Sequence, residues 1–299
     1  MSRIHDALKR AEQERAASMG THVESTLEPQ PVESQPIAMP PLQQAQREAV
    51  MPSSGMNYET MLARCPQTEW NPDQRTMLFF SEDENRIGTE EFRTLRSRLY
   101  QIREKISLKR LLVTSALPKE GKSFVAANLA QVLVRQHGRR VLVIDGDLRN
   151  PGMHRHLGTR STPGLSDYLL GECDEMAAMQ RGPMENLFFL PAGRNVSGAA
   201  ELLSNGRLKL LLQRVEPMFD WIILDSSPVI PVSDATLIAN SCDGIIMVVR
   251  SNETPSEMAK RAREEFPDKL LLGVVLNGTP SDKLAQSKYY YGESVSSQV

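Results

Sequence analysis

The chain has 299 residues, enough for one substantial α/β domain with appendages, and its 35 basic and 37 acidic side chains leave a formal charge of -2. That balance argues against bulk binding to nucleic acid or to an anionic membrane, and no apolar run approaches the ~20 residues that span a bilayer. Cys65, Cys173 and Cys242 are scattered without metal-ligand spacing, and an odd count with no signal peptide fits a reducing, cytoplasmic setting.

In chain order, residues 1–17 read as a short helix on which Ile4, Leu8 and Ala11 make a narrow apolar stripe. Residues 18–80 are rich in Pro, Gln, Ser and Glu, show little periodicity, and read as a disordered linker. From 81 to 279 the pattern is globular. A helix over Glu90 to Arg103 precedes strands near 110–115, 141–145, 187–191, 220–225, 244–249 and 271–276, which alternate with helical stretches such as Ala199 to Val215 and Ser256 to Glu265. Such alternation implies an α/β fold of the P-loop NTPase kind, a doubly wound, mostly parallel sheet with right-handed crossovers and helices on both faces. His154 and His156 have no thiol or further histidine to complete a zinc pattern and read as loop residues. The tail, 280–299, carries Tyr289, Tyr290 and Tyr291, half of the chain's six tyrosines, among Ser, Lys, Gln, Gly and Glu. Without aliphatic neighbours these rings either pack on a surface or are presented to an active site.

Three segments at the ends of apolar runs carry the chemistry. After Leu111-Leu112-Val113 the chain turns through Pro118, Lys119, Glu120 and Gly121 into a helix that begins with Lys122, Ser123 and Phe124. Backbone amides and the dipole at such a helix start favour anionic oxygens. Gly121 lets the backbone approach phosphate, Lys122 neutralises terminal phosphates, and the Ser123 hydroxyl ligates magnesium. Ala116 stands where this loop usually has glycine. The second segment, Val141 to Arg149, ends a buried-type strand at Asp145 and continues with Asp147, two positions on and able to share its face. The third, Trp221-Ile222-Ile223-Leu224-Asp225, sets another carboxylate at a strand's carboxyl end, a magnesium position opposite Ser123. Together they predict a site for ATP and Mg2+.

These motifs, with Gly164 to Gly171, Ala200 to Leu203, Ser233 to Ala235 and the tyrosine triplet, resemble the bacterial tyrosine autokinases of capsule and exopolysaccharide synthesis, the BY-kinases, over residues 85–299. The resemblance implies that Lys122 holds ATP phosphates while Ser123, Asp145 and Asp225 organise magnesium. It further implies that Asp147 accepts the proton of an incoming tyrosine hydroxyl and that Arg149 holds this loop or the transferring phosphate. Tyr289, Tyr290 and Tyr291 become phosphoacceptors. Glu90, Arg93 and Arg96 match a family motif of ring assembly, although an ion pair within one helix would use the same spacing. With no fused membrane domain, the stand-alone type is implied: a cytoplasmic kinase drawn to the inner membrane by a separate chain-length regulator. Two other readings share most of these residues: a regulatory ATPase of the septum-site and partitioning kind, and an ATP-binding scaffold of a polysaccharide export complex. Leu117, where the former usually carry a signature lysine, and the tyrosine tail weigh against the first.

Overall fold

The computed structural model describes residues 58–80 and 87–280. The expected helix over 1–17, the linker up to residue 57 and the tyrosine tail lie outside them.

Seven strands form one sheet among the described residues: β1 (Arg110–Ser115), β2 (Val141–Asp145), β3 (Gln180–Arg181), β4 (Leu187–Leu190), β5 (Trp221–Asp225), β6 (Gly244–Arg250) and β7 (Leu271–Asn277). Their order is β3-β4-β2-β5-β1-β6-β7, and every neighbouring pair is parallel except β3 with β4. The doubly wound, mostly parallel sheet expected from the sequence is therefore present. Alternation along the central strands feeds two cores: Leu112, Leu142, Ile144, Ile222 and Leu224 point to one face, and Leu111, Val113, Val141, Val143, Trp221 and Ile223 to the other. Runs buried on both faces have no polar position to spare, so the acidic residues fall at strand ends.

Ten α-helices cover the faces among the described residues: α1 (Tyr58–Arg64), α2 (Thr89–Arg103), α3 (Lys122–Val134), α4 (Met153–Leu157), α5 (Leu165–Leu170), α6 (Glu175–Ala178), α7 (Ala199–Ser204), α8 (Arg207–Val215), α9 (Asp234–Ala239) and α10 (Ser256–Glu264). In α3 every residue from Val125 to Val134 is buried, because the helix is sandwiched between the sheet and the segments α2 and 77–79.

Three expectations change. The segment 58–80 is not a linker: Met61 joins one core, while Trp70, Met77, Leu78 and Phe79 join the other. Its backbone is held by side-chain amides of α3, with Asn128 accepting the Leu78 N–H at 2.8 Å and Gln131 accepting that of Phe79 at 3.2 Å. Sparse apolar residues at irregular spacing thus pack without any period to reveal them. The expected helix from Ala199 to Val215 is two, broken where Gly206 takes the left-handed conformation at φ 82°. His154 and His156 lie on α4 rather than in a loop.

Candidate active site

The loop between β1 and α3 is built before any ligand is considered. Glu120 is 2 % exposed, and its carboxylate accepts the Leu117 N–H at 2.7 Å and the Thr254 hydroxyl. Ser115 donates to the Leu117 carbonyl at 2.9 Å. Lys119 and Gly121 both take positive φ, 66° and 93°. This turn delivers the chain into α3 so that Lys122 and Ser123 occupy the first helical turn, where free amides and the dipole attract anions.

Lys122 and Ser123 then meet the acidic strand ends. The Lys122 ammonium donates to Asp147 Oδ2 at 2.8 Å, lies 3.8 Å from Asp225 Oδ1, and is 3.4 Å from the Ser123 hydroxyl. Ser123 in turn donates to Asp225 Oδ2. Asp145 and Asp225 are side by side in the sheet register and fully buried. The approach is close: a Cβ on Gly146 would sit 2.6 Å from the Asp225 carbonyl oxygen, so only glycine fits between the two carboxylates of the second segment.

Burial pushes the Asp145 and Asp225 carboxyls above the usual carboxylate range, the Asp225 charge adding to the rise of Asp145 and the Asp147 charge to that of Asp225, with Lys122 opposing it in both. For Lys122, burial works against the charge, but Asp225 and Asp147 outweigh it and hold the ammonium above its ordinary value. The site is thus crowded with negative charge that one lysine does not neutralise.

The carboxylates do different work. Asp145 accepts the N–H groups of Asp147, Gly152 and Met153 at 3.2, 3.3 and 3.1 Å, so it organises the loop that carries Asp147. Asp147 accepts the Asn150 N–H at 3.0 Å on one oxygen and Lys122 on the other. Asp225 Oδ1, buried beside Lys122, has no hydrogen-bond partner. A buried carboxylate oxygen left open beside a serine hydroxyl fits magnesium, which binds through one or two carboxylates together with substrate phosphates rather than in an all-protein cage. Among the described residues there is no cluster of three or more His, Cys, Asp or Glu side chains that could hold a metal.

Over 219 residues the chain is 34 % identical to the tyrosine-protein kinase YwqD of Bacillus subtilis (strain 168), an overlap of 73 % of this chain and 92 % of that one. The chain belongs to the bacterial tyrosine-protein kinase family. It is also 34 % identical over 189 residues to the succinoglycan biosynthesis transport protein ExoP of Rhizobium meliloti (strain 1021), covering 61 % of this chain and 24 % of that longer one. The chimerical protein CapA2B2 superposes with a TM-score of 0.65 at 27 % identity, over 74 % of this chain and 97 % of that one. Residues 120–257 match an AAA domain family. Family, fold and site agree on an enzyme of the tyrosine-protein kinase class built on a P-loop sheet.

In this kinase the remaining expected residues fall into place unevenly. Arg149 forms a two-pronged pair with the fully buried Asp234 at the start of α9, at 2.7 and 3.0 Å, so it ties the Asp147 loop to a helix. The Phe124 ring packs edge-on against Phe92 of α2 at 5.8 Å, and its carbonyl accepts the Asn128 amide at 2.9 Å. Pro118 and Lys119 shape the turn, and Glu120 spends its carboxylate within it. Glu90 pairs with Arg93 along α2, and Arg96 donates to the Val132 carbonyl of α3 at 3.1 Å, so all three make contacts within their own chain.

Two residues of the site have no signal in the sequence. Thr254 follows β6, and Asn277 ends β7 with its amide donating to the Glu120 carbonyl at 2.8 Å. Both lie more than 130 positions from their partner, beyond any local motif. A shallow cleft of about 240 Å³ lined by Cys242, Asp243, Asp268 and Lys269 opens at the amino ends of β6 and β7. It is at the opposite edge of the sheet from Lys122 and its carboxylates, and convergence of functional groups marks the latter as the reactive edge.

Proposed function

We propose that this kinase is an ATP-dependent autokinase that phosphorylates Tyr289, Tyr290 and Tyr291 of a neighbouring copy and so regulates polymerisation or export of a capsular or extracellular polysaccharide. The observation that carries the reading is the meeting of Lys122, Ser123, Asp147 and Asp225 at one sheet edge beside a preformed phosphate loop. Amides at the start of α3 and the Lys122 ammonium bind the ATP phosphates, with Pro118 to Phe124 as the cradle. Ser123 and Asp225 would hold Mg2+, with Asp145 behind them, and the ion would supply neutralising charge for phosphates and carboxylates alike.

Phosphoryl transfer rests on in-line placement and charge stabilisation rather than on a covalent enzyme intermediate. Asp147 accepts the tyrosine hydroxyl proton as that oxygen bonds to the terminal phosphorus and the bond to ADP breaks. Free tyrosine has a pKa of about 10, so a placed carboxylate assists the attack. Arg149, through Asp234, keeps Asp147 in reach. The ring that brings one tail to the next site uses Glu90, Arg93 and Arg96, which requires their present intrachain contacts to be shared or exchanged. The partner is a membrane chain-length regulator, and through it the kinase sits peripherally on the inner membrane. Among the described residues no helix is long and apolar enough to cross a membrane.

Incubation with labelled ATP and magnesium, with and without the membrane activator, followed by phosphotyrosine mapping, tests this reading. Label is expected on the tail, lost in Lys122→Met and lost in the triple Tyr→Phe variant at 289, 290 and 291 with nucleotide binding kept. Label persisting in the triple variant removes the tail as main acceptor. Steady ATP hydrolysis without phosphotyrosine assigns the site to a regulatory ATPase instead.

A further inference from the structure

The phosphate loop contains one backbone conformation that is costly to hold, Lys119 at φ 66°, beside a glycine free to take its φ of 93°, Gly121, and the groups that restrain the loop follow β6 and end β7, the two strands that come after β1 in the sheet order. Asn277, at the carboxyl end of the edge strand β7, donates its side-chain amide to the Glu120 carbonyl at 2.8 Å. The same amide lies directly on the glycine that follows. A Cβ added to Gly121 would stand 2.0 Å from Asn277 Nδ2. Thr254, four positions beyond β6, donates to the Glu120 carboxylate, whose other oxygen takes the Leu117 N–H.

We propose that Asn277 is a positioning residue for phosphate binding: by holding the Glu120 carbonyl away from the cradle it turns the Gly121 N–H into it. The reason is the planarity of the peptide unit. In a trans peptide the C=O of one residue and the N–H of the next point to opposite sides, so anchoring the Glu120 oxygen fixes the direction of the Gly121 donor. A glycine at positive φ can rotate about that peptide more readily than any other residue, and without the anchor the donor has no fixed aim. Thr254 holds the Glu120 side chain while Asn277 holds its backbone, so the two restrain the same residue from both ends. Asn277 touches the loop and not the reacting atoms.

This inference rests on the reading of the loop as the ATP phosphate site, and magnesium pyrophosphate separates the two. Affinities for magnesium-ATP and for magnesium pyrophosphate are measured by calorimetry on the full chain, beside autophosphorylation kinetics. Asn277→Ala is expected to weaken both ligands in step by about tenfold, raising KM for ATP more than it lowers kcat, the size expected from one misdirected donor. Asn277→Asp keeps the shape but sets an acceptor against an acceptor, and is expected to weaken both at least as much. Should the alanine variant fail to fold, the aspartate variant of equal size carries the measurement. Loss confined to ATP with pyrophosphate unaffected would make Asn277 a base contact and overturn the proposal. Unchanged affinities with a smaller active fraction would reduce it to a structural residue and overturn it as well. Wild-type protein that binds neither ligand would remove the ATP-site reading itself.

Discussion

Two aspartates at opposite edges of one sheet show how the same side chain becomes a scaffold or a site. Asp243, just before β6, accepts the Lys109 and Arg110 N–H groups at 2.9 and 2.7 Å and both prongs of the Arg110 guanidinium at 3.1 and 2.6 Å. Burial alone would raise its pKa, but Arg110 and the two amides outweigh it and hold the carboxyl below the usual range. Asp225, at the carboxyl end of β5, is fully buried, keeps one oxygen without a partner, and is pushed the other way. One charge is satisfied by the protein and locks two strand starts together. The other keeps one oxygen open, which in the proposed function is where magnesium would bind.

The largest expected effect is at the incomplete one. Asp225→Asn should lower autophosphorylation by about 100-fold or more, measured with labelled ATP, while circular dichroism shows an unchanged fold. Next comes the tether of the Asp147 loop. Arg149→Ala should lower kcat by about tenfold with little change in the affinity for magnesium-ATP, because the positioning of the proton acceptor is lost while the phosphate loop is intact. A matching loss of ATP affinity would instead place Arg149 on the phosphates.

At the satisfied edge the expected effect is on stability alone. Asp243→Asn should lower the thermal midpoint by about 5 °C through weakened hydrogen bonds to Arg110 and its neighbour, with kinetics per folded molecule unchanged. The two aspartates also carry opposite pH signatures. For Asp243 the folded-state pKa is depressed, so its stabilisation is present above the unfolded value of about 4 and is lost as pH falls through the folded value. The gap between wild type and Asp243→Asn should therefore close in acid. For Asp225 the folded-state pKa is raised, so its favourable contribution exists below the unfolded value and is lost as pH rises through the folded one. In magnesium-free protein, Asp225→Asn should thus gain stability relative to wild type as pH rises toward neutral, and identical pH slopes for both variants would erase the distinction.

Much of this contrast was readable in the residues and part of it was not. Continuous apolar runs ending in Asp145 and Asp225 mark strands buried on both faces, and Gly121-Lys122-Ser123 marks a helix start, so sheet and phosphate loop follow from local pattern. Asp243 gave no comparable sign, since its partners are fixed by the pairing of β1 with β6 and not by neighbours in sequence. Asn277 and Thr254 were invisible for the same reason. Arg149 was recognised without its partner: Asp234 stands 85 positions away. The break at Gly206 was written in the dipeptide Asn205-Gly206, which a reading by apolar period overran. The segment 58–80 was hidden by composition, although Trp70 and the run Met77-Leu78-Phe79-Phe80 are expensive to leave in water.

That segment also sets where the folding unit begins. Asn128 and Gln131 are completely buried in α3, and their amides take as partners the Leu78 and Phe79 N–H groups and the Thr76 carbonyl. A truncation starting at residue 81 would leave those amides only their carbonyl partners within the helix, Phe124 and Ala127, and bare the apolar side of the very helix that opens with Lys122. Shortening the segment from its start reaches the sheet first, where Tyr58 packs edge-on against Phe188 of β4 and the Thr68 N–H donates to the Arg181 carbonyl of β3 at 2.9 Å, and only at Thr76 to Phe79 does it reach the helix that opens with Lys122.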